Sequence, residues 1–172
     1  RLPSLLLIDI QEKLFAKVAN NTQLASRLEV LSKACTLLQI PIILTEQYPQ
    51  GLGKTIDILK NFPVSFEKTA FSCLGDEKIK KAILASGCHS WIVAGIESHV
   101  CVLQTVRDLL LHNMTPIVVQ DAISSRNLLD HNSALQEMRT LGARITTTET
   151  LLFEILQDSK HPQFKQISLA LR

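Results

Sequence analysis

The sequence predicts an α/β fold of three layers: a doubly wound, six-stranded, mostly parallel sheet with helices on both faces. Three observations predict it. Short apolar runs alternate along the chain with longer segments of 3.6-residue periodicity. The strand runs, such as Leu5-Leu6-Leu7-Ile8, are continuous rather than alternating, as suits strands covered on both faces. The order, βαβ followed by repeated βα units, suits parallel strands joined by crossover helices.

The elements follow in order. The first strand is Ser4–Ile10, and a helical pattern covers Thr22–Gln39. The second strand, Pro41–Glu46, opens on a proline, whose missing N–H does little harm there. A loop containing Pro49, Gly51 and Gly53 leaves its C-terminal end. Val64–Glu67 is the third strand and Asp76–Ser86 the next helix. Ser90–Ile96 is the fourth strand. Ser98–His112 then reads as a helix, with Cys101, Val102, Val106, Leu109 and Leu110 apolar and Asn113 as a left-handed stop. Strand Thr115–Gln120, helix Asn132–Leu141, strand Arg144–Thr147 and helix Thr148–Asp158 complete the pattern, with Gly142 as a second stop. In the polar tail, Phe164, Ile167 and Leu171 are spaced as a short amphipathic piece, suited to capping this domain or to a partner subunit. No repeat or linker divides residues 1–172, which are read as one domain. A chain of 172 residues buries about 70% of the surface its unfolded form exposes.

Composition narrows the function classes. Hydrophobic residues are 46% and charged residues 20%, an ordinary globular balance. A net charge of +2 argues against nucleic acid or an anionic membrane as partner. Lys78-Ile79-Lys80-Lys81 reads as the solvated face of a helix. No apolar stretch approaches the roughly 18–20 residues of a membrane span. The opening apolar run is too short for a signal peptide and ends in Asp9. Cys35, Cys73, Cys88 and Cys101 form no CxxC pair, which points to a reducing, cytoplasmic compartment. Cys35 and Cys88 read as small core residues.

In open parallel sheets, ligands bind beyond the C-terminal ends of the strands. Asp9 ends the first strand, Lys68 the third, and Cys101 follows the fourth. An acid, an amine and a thiol at one sheet edge can serve as base, electrostatic partner and nucleophile. Cys101 lies one turn into its helix, where free N–H groups and the dipole favour the thiolate. Gln11, Phe15, Glu46, Gln47, Tyr48, Phe71 and His99 make up the expected substrate-binding set. Phe15 and Phe71 are equally suited to core packing. His99 lies two residues before Cys101, and consecutive helical positions point about 100° apart, so it is a neighbour rather than the base. Trp91 is read as packing. Asp121 is expected to cap a helix or pair with Arg126.

Three motifs carry a resemblance to a known family: Asp9-Ile10-Gln11, Glu67-Lys68-Thr69-Ala70-Phe71-Ser72, and Gly95-Ile96-Glu97-Ser98-His99-Val100-Cys101-Val102-Leu103-Gln104-Thr105. In order and spacing the chain resembles the isochorismatase-like cysteine hydrolases, a group that includes nicotinamidases and related amidases. Thr45-Glu46-Gln47-Tyr48-Pro49-Gln50-Gly51-Leu52-Gly53 resembles the branch of isochorismatase domain-containing proteins, some of which carry a ribonuclease label. The resemblance implies a Rossmann-like hydrolase fold, with Cys101 as nucleophile, Asp9 as proton acceptor and Lys68 as the cation beside both. It also implies a cis peptide at Ile96–Glu97 that turns the N–H groups of Glu97 and Cys101 into an oxyanion hole.

Departures from the family pattern matter. The nicotinamidases carry a metal cluster after the second strand, where this chain has Thr45-Glu46-Gln47-Tyr48 and no histidine. Neither a metal nor another cofactor is therefore expected, and nicotinamide is not an expected substrate. Glu97 and His99 stand where characterised amidases commonly show a Thr/Asp pattern, which changes the pocket chemistry. The expectation is a metal-independent cysteine hydrolase of a small amide or related carbonyl compound, working through a thioester, in a homo-oligomer. The alternatives are a non-catalytic binding or regulatory module on the same fold, or a thiol redox protein. The last requires Asp9 and Lys68 to lie far from Cys101.

Overall fold

The computed structural model describes residues 1–172. Six strands form one sheet: β1 (Ser4–Ile8), β2 (Ile42–Gln47), β3 (Phe66–Lys68), β4 (Ser90–Ile96), β5 (Thr115–Ser124) and β6 (Arg144–Thr146). Their order is β3-β2-β1-β4-β5-β6 and every pairing is parallel. The sheet is thus wholly rather than mostly parallel. β1 and β4, neighbours here but far apart in sequence, flank the point where the strand order reverses.

Alternate residues of each strand feed two different cores. Leu5 and Leu7 enter the core beneath α2 (Asn21–Leu37), α7 (Thr148–Leu156) and α8 (Phe164–Ala170). Leu6 and Ile8 enter the core beneath α4 (Glu77–Ala85), α5 (Leu103–Leu111) and α6 (Leu128–Leu141). All five residues of β1 are buried, and each large side chain among them contributes about 1.5–3 kcal/mol by leaving water. Helices on both faces account for the continuous apolar runs. No helix is long and apolar enough to cross a membrane.

Several boundaries differ from the expected ones, each for a physical reason. β1 stops at Ile8 because Asp9 turns into the left-handed region, φ 53°. β5 continues to Ser124 through a register shift: Val93 pairs with Val118, but Gly95 pairs with Ile123. α6 begins at Leu128, capped by Asn127, whose side chain accepts the Leu129 N–H. Leu128 and Leu129 are exposed, so the apolar periodicity only becomes regular further on. The loop after β2 holds two short helices, α3 (Pro49–Leu52) and a 3-10 turn at Asp57–Leu59, and α1 (Glu12–Phe15) follows β1. In the tail, α8 buries Ile167 in the α2-side core, and Phe164 meets Phe153 edge to face, 6.0 Å between centroids. The amphipathic piece therefore caps its own sheet.

Asp121 accepts both the N–H and the hydroxyl of Thr148, 2.9 Å each, so of its two expected roles it takes the cap. Arg126 pairs with Glu97 instead. Cys35 is fully buried, and Trp91 packs in the core with its N–H on the Cys88 carbonyl. Cys88 corrects its reading as a core residue: it is half-buried, its sulfur 3.1 Å from the Ser90 carbonyl. Gly95 is obligatory. Its φ is 130°, and a Cβ there would lie 2.1 Å from the Ile8 carbonyl oxygen on the adjacent strand.

Candidate active site

The site is built at the C-terminal edge of β3, β2, β1 and β4. β1 ends with the left-handed turn at Asp9, a conformation that Asp tolerates better than most residues. The Asp9 carboxylate is fully buried and has a defined partner on each oxygen. The Thr45 hydroxyl donates to Oδ1 at 2.8 Å, and Lys68 Nζ donates to Oδ2 at 2.8 Å. Both members of this ion pair are at most 1% exposed. Lys68 Nζ also reaches Gln47 Oε1 and the Phe71 carbonyl at 2.8 Å, and the Ala70 carbonyl at 3.2 Å. An ammonium this deeply buried needs oxygen acceptors on every side, and it has four.

Strand parity assembles these groups. Ile43 and Phe66 face the core under α4 and α5, so Thr45 and Gln47 on β2, and Lys68 on β3, face the same way. Register places Gln47 opposite Lys68 and Thr45 beside Ile8. Glu46 lies on the opposite sheet face, where its Oε2 accepts the Thr55 N–H and hydroxyl at 2.7 Å each.

Cys101 sits in a π-turn, Ser98–Val102, closed by the Val102 N–H on the Glu97 carbonyl at 3.2 Å, before α5 begins. Single π-turns recur at functional sites. The peptide joining Ile96 to Glu97 is cis. The Asp9 carboxylate lies close enough to the Cys101 thiol to act on its ionisation. Burial pushes this thiol well above the ordinary range, the Asp9 charge adds to the rise, and Lys68 opposes it without cancelling it. This corrects the expectation from helix position alone: the resting group is the thiol, because desolvation and a neighbouring carboxylate outweigh the helix end. For Lys68, burial pulls the ammonium down, but the charge of Asp9 leads the opposing effects, and the net shift is upward. Cys73 is also part of this cluster. It is fully buried and pushed up to about 11, mainly by burial.

The expected substrate-binding residues divide by their partners. The Gln11 amide is wholly committed: its N–H groups go to the carbonyls of Gln47 (2.9 Å) and Gly53 (2.8 Å), and its oxygen accepts the Gln47 N–H at 2.7 Å. The Gln47 side chain binds Lys68 and the Thr69 carbonyl. Phe15 packs against the α2-side core. Phe71 and Tyr48 are more than half exposed. The Tyr48 ring lies over Gly51, where a Cβ would be 2.6 Å away. His99 turns to the segment after β5, with Nδ1 and the Ser125 hydroxyl 2.9 Å apart. Thr45 and Arg126 escaped the sequence reading as site residues. The i, i+2 parity of Thr45 with Gln47 was the available signal, legible only once β1 and β2 are known to be neighbours.

No three His, Cys, Asp or Glu side chains stand close enough together to hold a metal ion. A surface depression of about 840 Å³ is lined by Asn20, Arg27, Asp121 and Glu149 among others and shares no residue with the Asp9–Lys68–Cys101 cluster. In that cluster a carboxylate, an ammonium and a thiol stand together at the sheet edge.

Comparison with known proteins gives three further findings. The family model described as the isochorismatase domain matches residues 3–150. Isochorismatase family protein 1A of Dictyostelium discoideum is 39% identical over 170 residues, covering 95% of this chain and 82% of its own. Among solved structures, that of the MAR1 ribonuclease from Caenorhabditis elegans superposes with a TM-score of 0.91 and 35% identity, covering 99% of this chain and 92% of its own. The fold is also that of the ycaC gene product of Escherichia coli, described as an octameric hydrolase of unknown specificity. It has a TM-score of 0.86 and 22% identity, covering 99% of this chain and 96% of its own.

Proposed function

Because this chain belongs to the isochorismatase family, we propose that it is a metal-independent cysteine hydrolase of a small amide or related carbonyl compound. One observation carries the reading: a buried carboxylate, Asp9, is ion-paired with the Lys68 ammonium and lies near enough to the Cys101 thiol for its charge to act on it. A resting thiol beside a carboxylate is a nucleophile paired with its base.

In this reading the Cys101 sulfur attacks the carbonyl carbon while its proton passes to Asp9. The oxyanion is held by the N–H groups of Glu97 and Cys101. Asp9 hands the proton to the leaving amine as the C–N bond breaks, and the acyl group stays on sulfur as a thioester. Water then attacks, giving its proton to Asp9, and the C–S bond breaks. Cys101 regains its proton from Asp9. Lys68 compensates the carboxylate charge whenever Asp9 is ionised and fixes its position throughout. An amide suits the site because protonation from Asp9 is what expels an amine.

The test is a turnover screen over a library of small amides, wild type against Cys101→Ala, with intact-mass detection of the acyl-enzyme. The expected result is a Cys101-dependent thioester and no turnover in the variant. Turnover retained by Cys101→Ala would remove the assignment. An unreactive wild type would favour the binding-module alternative.

A second reading comes from the ribonuclease name of the C. elegans relative. Lys68 and Arg126 are each paired with a carboxylate, so the cluster carries no surplus positive charge for a phosphate backbone. RNA cleavage by wild type and not by Cys101→Ala would establish the second reading over the first. Association into a homo-oligomer is proposed on the exposed apolar side chains of α5 and α6, Leu111, Leu128, Leu129 and Leu141; light scattering after size exclusion checks it.

A further inference from the structure

Three consecutive residues of the nucleophile turn are tied to the segment that follows β5. Glu97 Oε2 accepts both the backbone N–H and the Nε–H of Arg126, 2.9 Å each. The Ser98 hydroxyl lies 2.8 Å from His131 Nδ1. His99 lies against Ser125. Of these, Glu97 has the largest mechanical reach. Its carbonyl accepts the N–H groups of Val100 and Val102, both at 3.2 Å, and so closes the turn that carries Cys101. Its carboxylate, 7% exposed, is anchored on Arg126, whose own side chain is 58% exposed.

We propose that Arg126 is a positioning residue, acting through Glu97 to hold the nucleophile turn in the geometry that acyl transfer requires. The inference rests on the hydrolase reading above. A carboxylate this buried must keep its charge-assisted partners or move to find water. If it moves, it pulls on the backbone of Glu97, whose carbonyl closes the turn and whose N–H is one of the two oxyanion donors. The charges that act on the thiol are those of Asp9 and Lys68, and Arg126 touches neither. Arg126 therefore bears on the hole and not on the basicity around sulfur.

Two reactions of the same sulfur separate these roles. Acylation by p-nitrophenyl acetate forms an S–acyl bond, expels p-nitrophenolate, passes the thiol proton to Asp9 and goes through an oxyanion. Alkylation by iodoacetamide forms an S–C bond, expels iodide and has no oxyanion. Both are followed at Cys101 by peptide mass, because half-buried Cys88 also reacts. Arg126→Ala is expected to slow acylation about 10- to 100-fold while leaving alkylation within about two-fold of wild type, the loss expected when an oxyanion donor is misplaced rather than deleted. Arg126→Lys, which keeps the charge but not the Nε–H, should fall between. Glu97→Gln, which keeps an acceptor for the Arg126 N–H groups but removes the charge that strengthens them, serves if Arg126→Ala fails to fold; a selective loss of acylation smaller than that of Arg126→Ala is expected of it. Equal loss of both reactions would mark a merely structural role and overturn the proposal, as would no loss of either. A wild type that forms no acetyl-Cys101 yet is alkylated would instead fail the hydrolase reading itself, and the positioning role with it.

Discussion

Lys68→Met tests the central ion pair, because methionine keeps most of the unbranched apolar stem and removes the ammonium with its charge and donors. In the variant, Asp9 keeps the Thr45 hydroxyl but loses its counter-charge in a site at most 1% exposed. Removing one partner of a buried pair costs about 3–5 kcal/mol, since the remaining charge stays uncompensated. Asp9→Asn should cost less. Lys68 would still have Gln47, Ala70 and Phe71 as oxygen acceptors. In the double variant no isolated charge remains, so its loss should fall below the sum of the single losses by about 1–3 kcal/mol. Urea unfolding of the four proteins measures this cycle. With total stabilities of about 5–15 kcal/mol, the single variants should remain folded enough to measure. Additive losses would refute the reasoning, because they would mean that the two groups are solvated independently rather than through each other.

Thr45→Val keeps shape and removes the donor to Asp9 Oδ1; a stability loss of about 1.5–3 kcal/mol in the same assay is expected of a hydrogen bond to a charged group. Gly95→Ala should cost at least about 3 kcal/mol or prevent soluble expression, since it forces a methyl into the β1 backbone on top of a positive φ; a thermal melt within a degree of wild type would contradict the close approach. Stability should also fall at alkaline pH. Burial pushes the Cys73 thiol up to about 11 and the Cys35 thiol up to about 12, so both stay protonated in the fold while the unfolded thiols ionise. Their contribution is complete below the ordinary thiol value of about 8.5 and is lost as pH rises toward the folded values, by about 1.4 kcal/mol per pH unit for each thiol. Urea midpoints between pH 8 and 11 read this slope; Cys35→Ala should flatten it, and an unchanged slope would show that Cys35 is not the group responsible.

Much of the fold was legible because its signals are local. Continuous apolar strands, helical periodicity and stop residues at Asn113 and Gly142 need no knowledge of distant partners, and both stops adopt the left-handed backbone expected of them. Errors collected where distant contacts override local pattern. The β5 extension depends on its pairing with β4, and the π-turn at Cys101 on where the Glu97 carbonyl lies. Gln11 and Glu46 end or follow strands at the correct edge, yet one spends its whole amide on the β2–α3 backbone and the other faces the opposite side of the sheet.

What the sequence determined by itself was which chemical groups stand at the C-terminal ends of which strands: a carboxylate after β1, an amine at the end of β3 and a thiol after β4. Strand polarity follows from the βα alternation, so that placement needs no distances. Only the tertiary structure decided the state of those groups. Strand order brings β3, β2, β1 and β4 side by side, parity turns Thr45, Gln47 and Lys68 to one face, and burial then makes Asp9 and Lys68 depend on each other. The same burial holds Cys101 as a thiol where the helix end alone favoured a thiolate. Ionisation depends on solvent exclusion and on charges distant in sequence, and neither exists until the chain is folded.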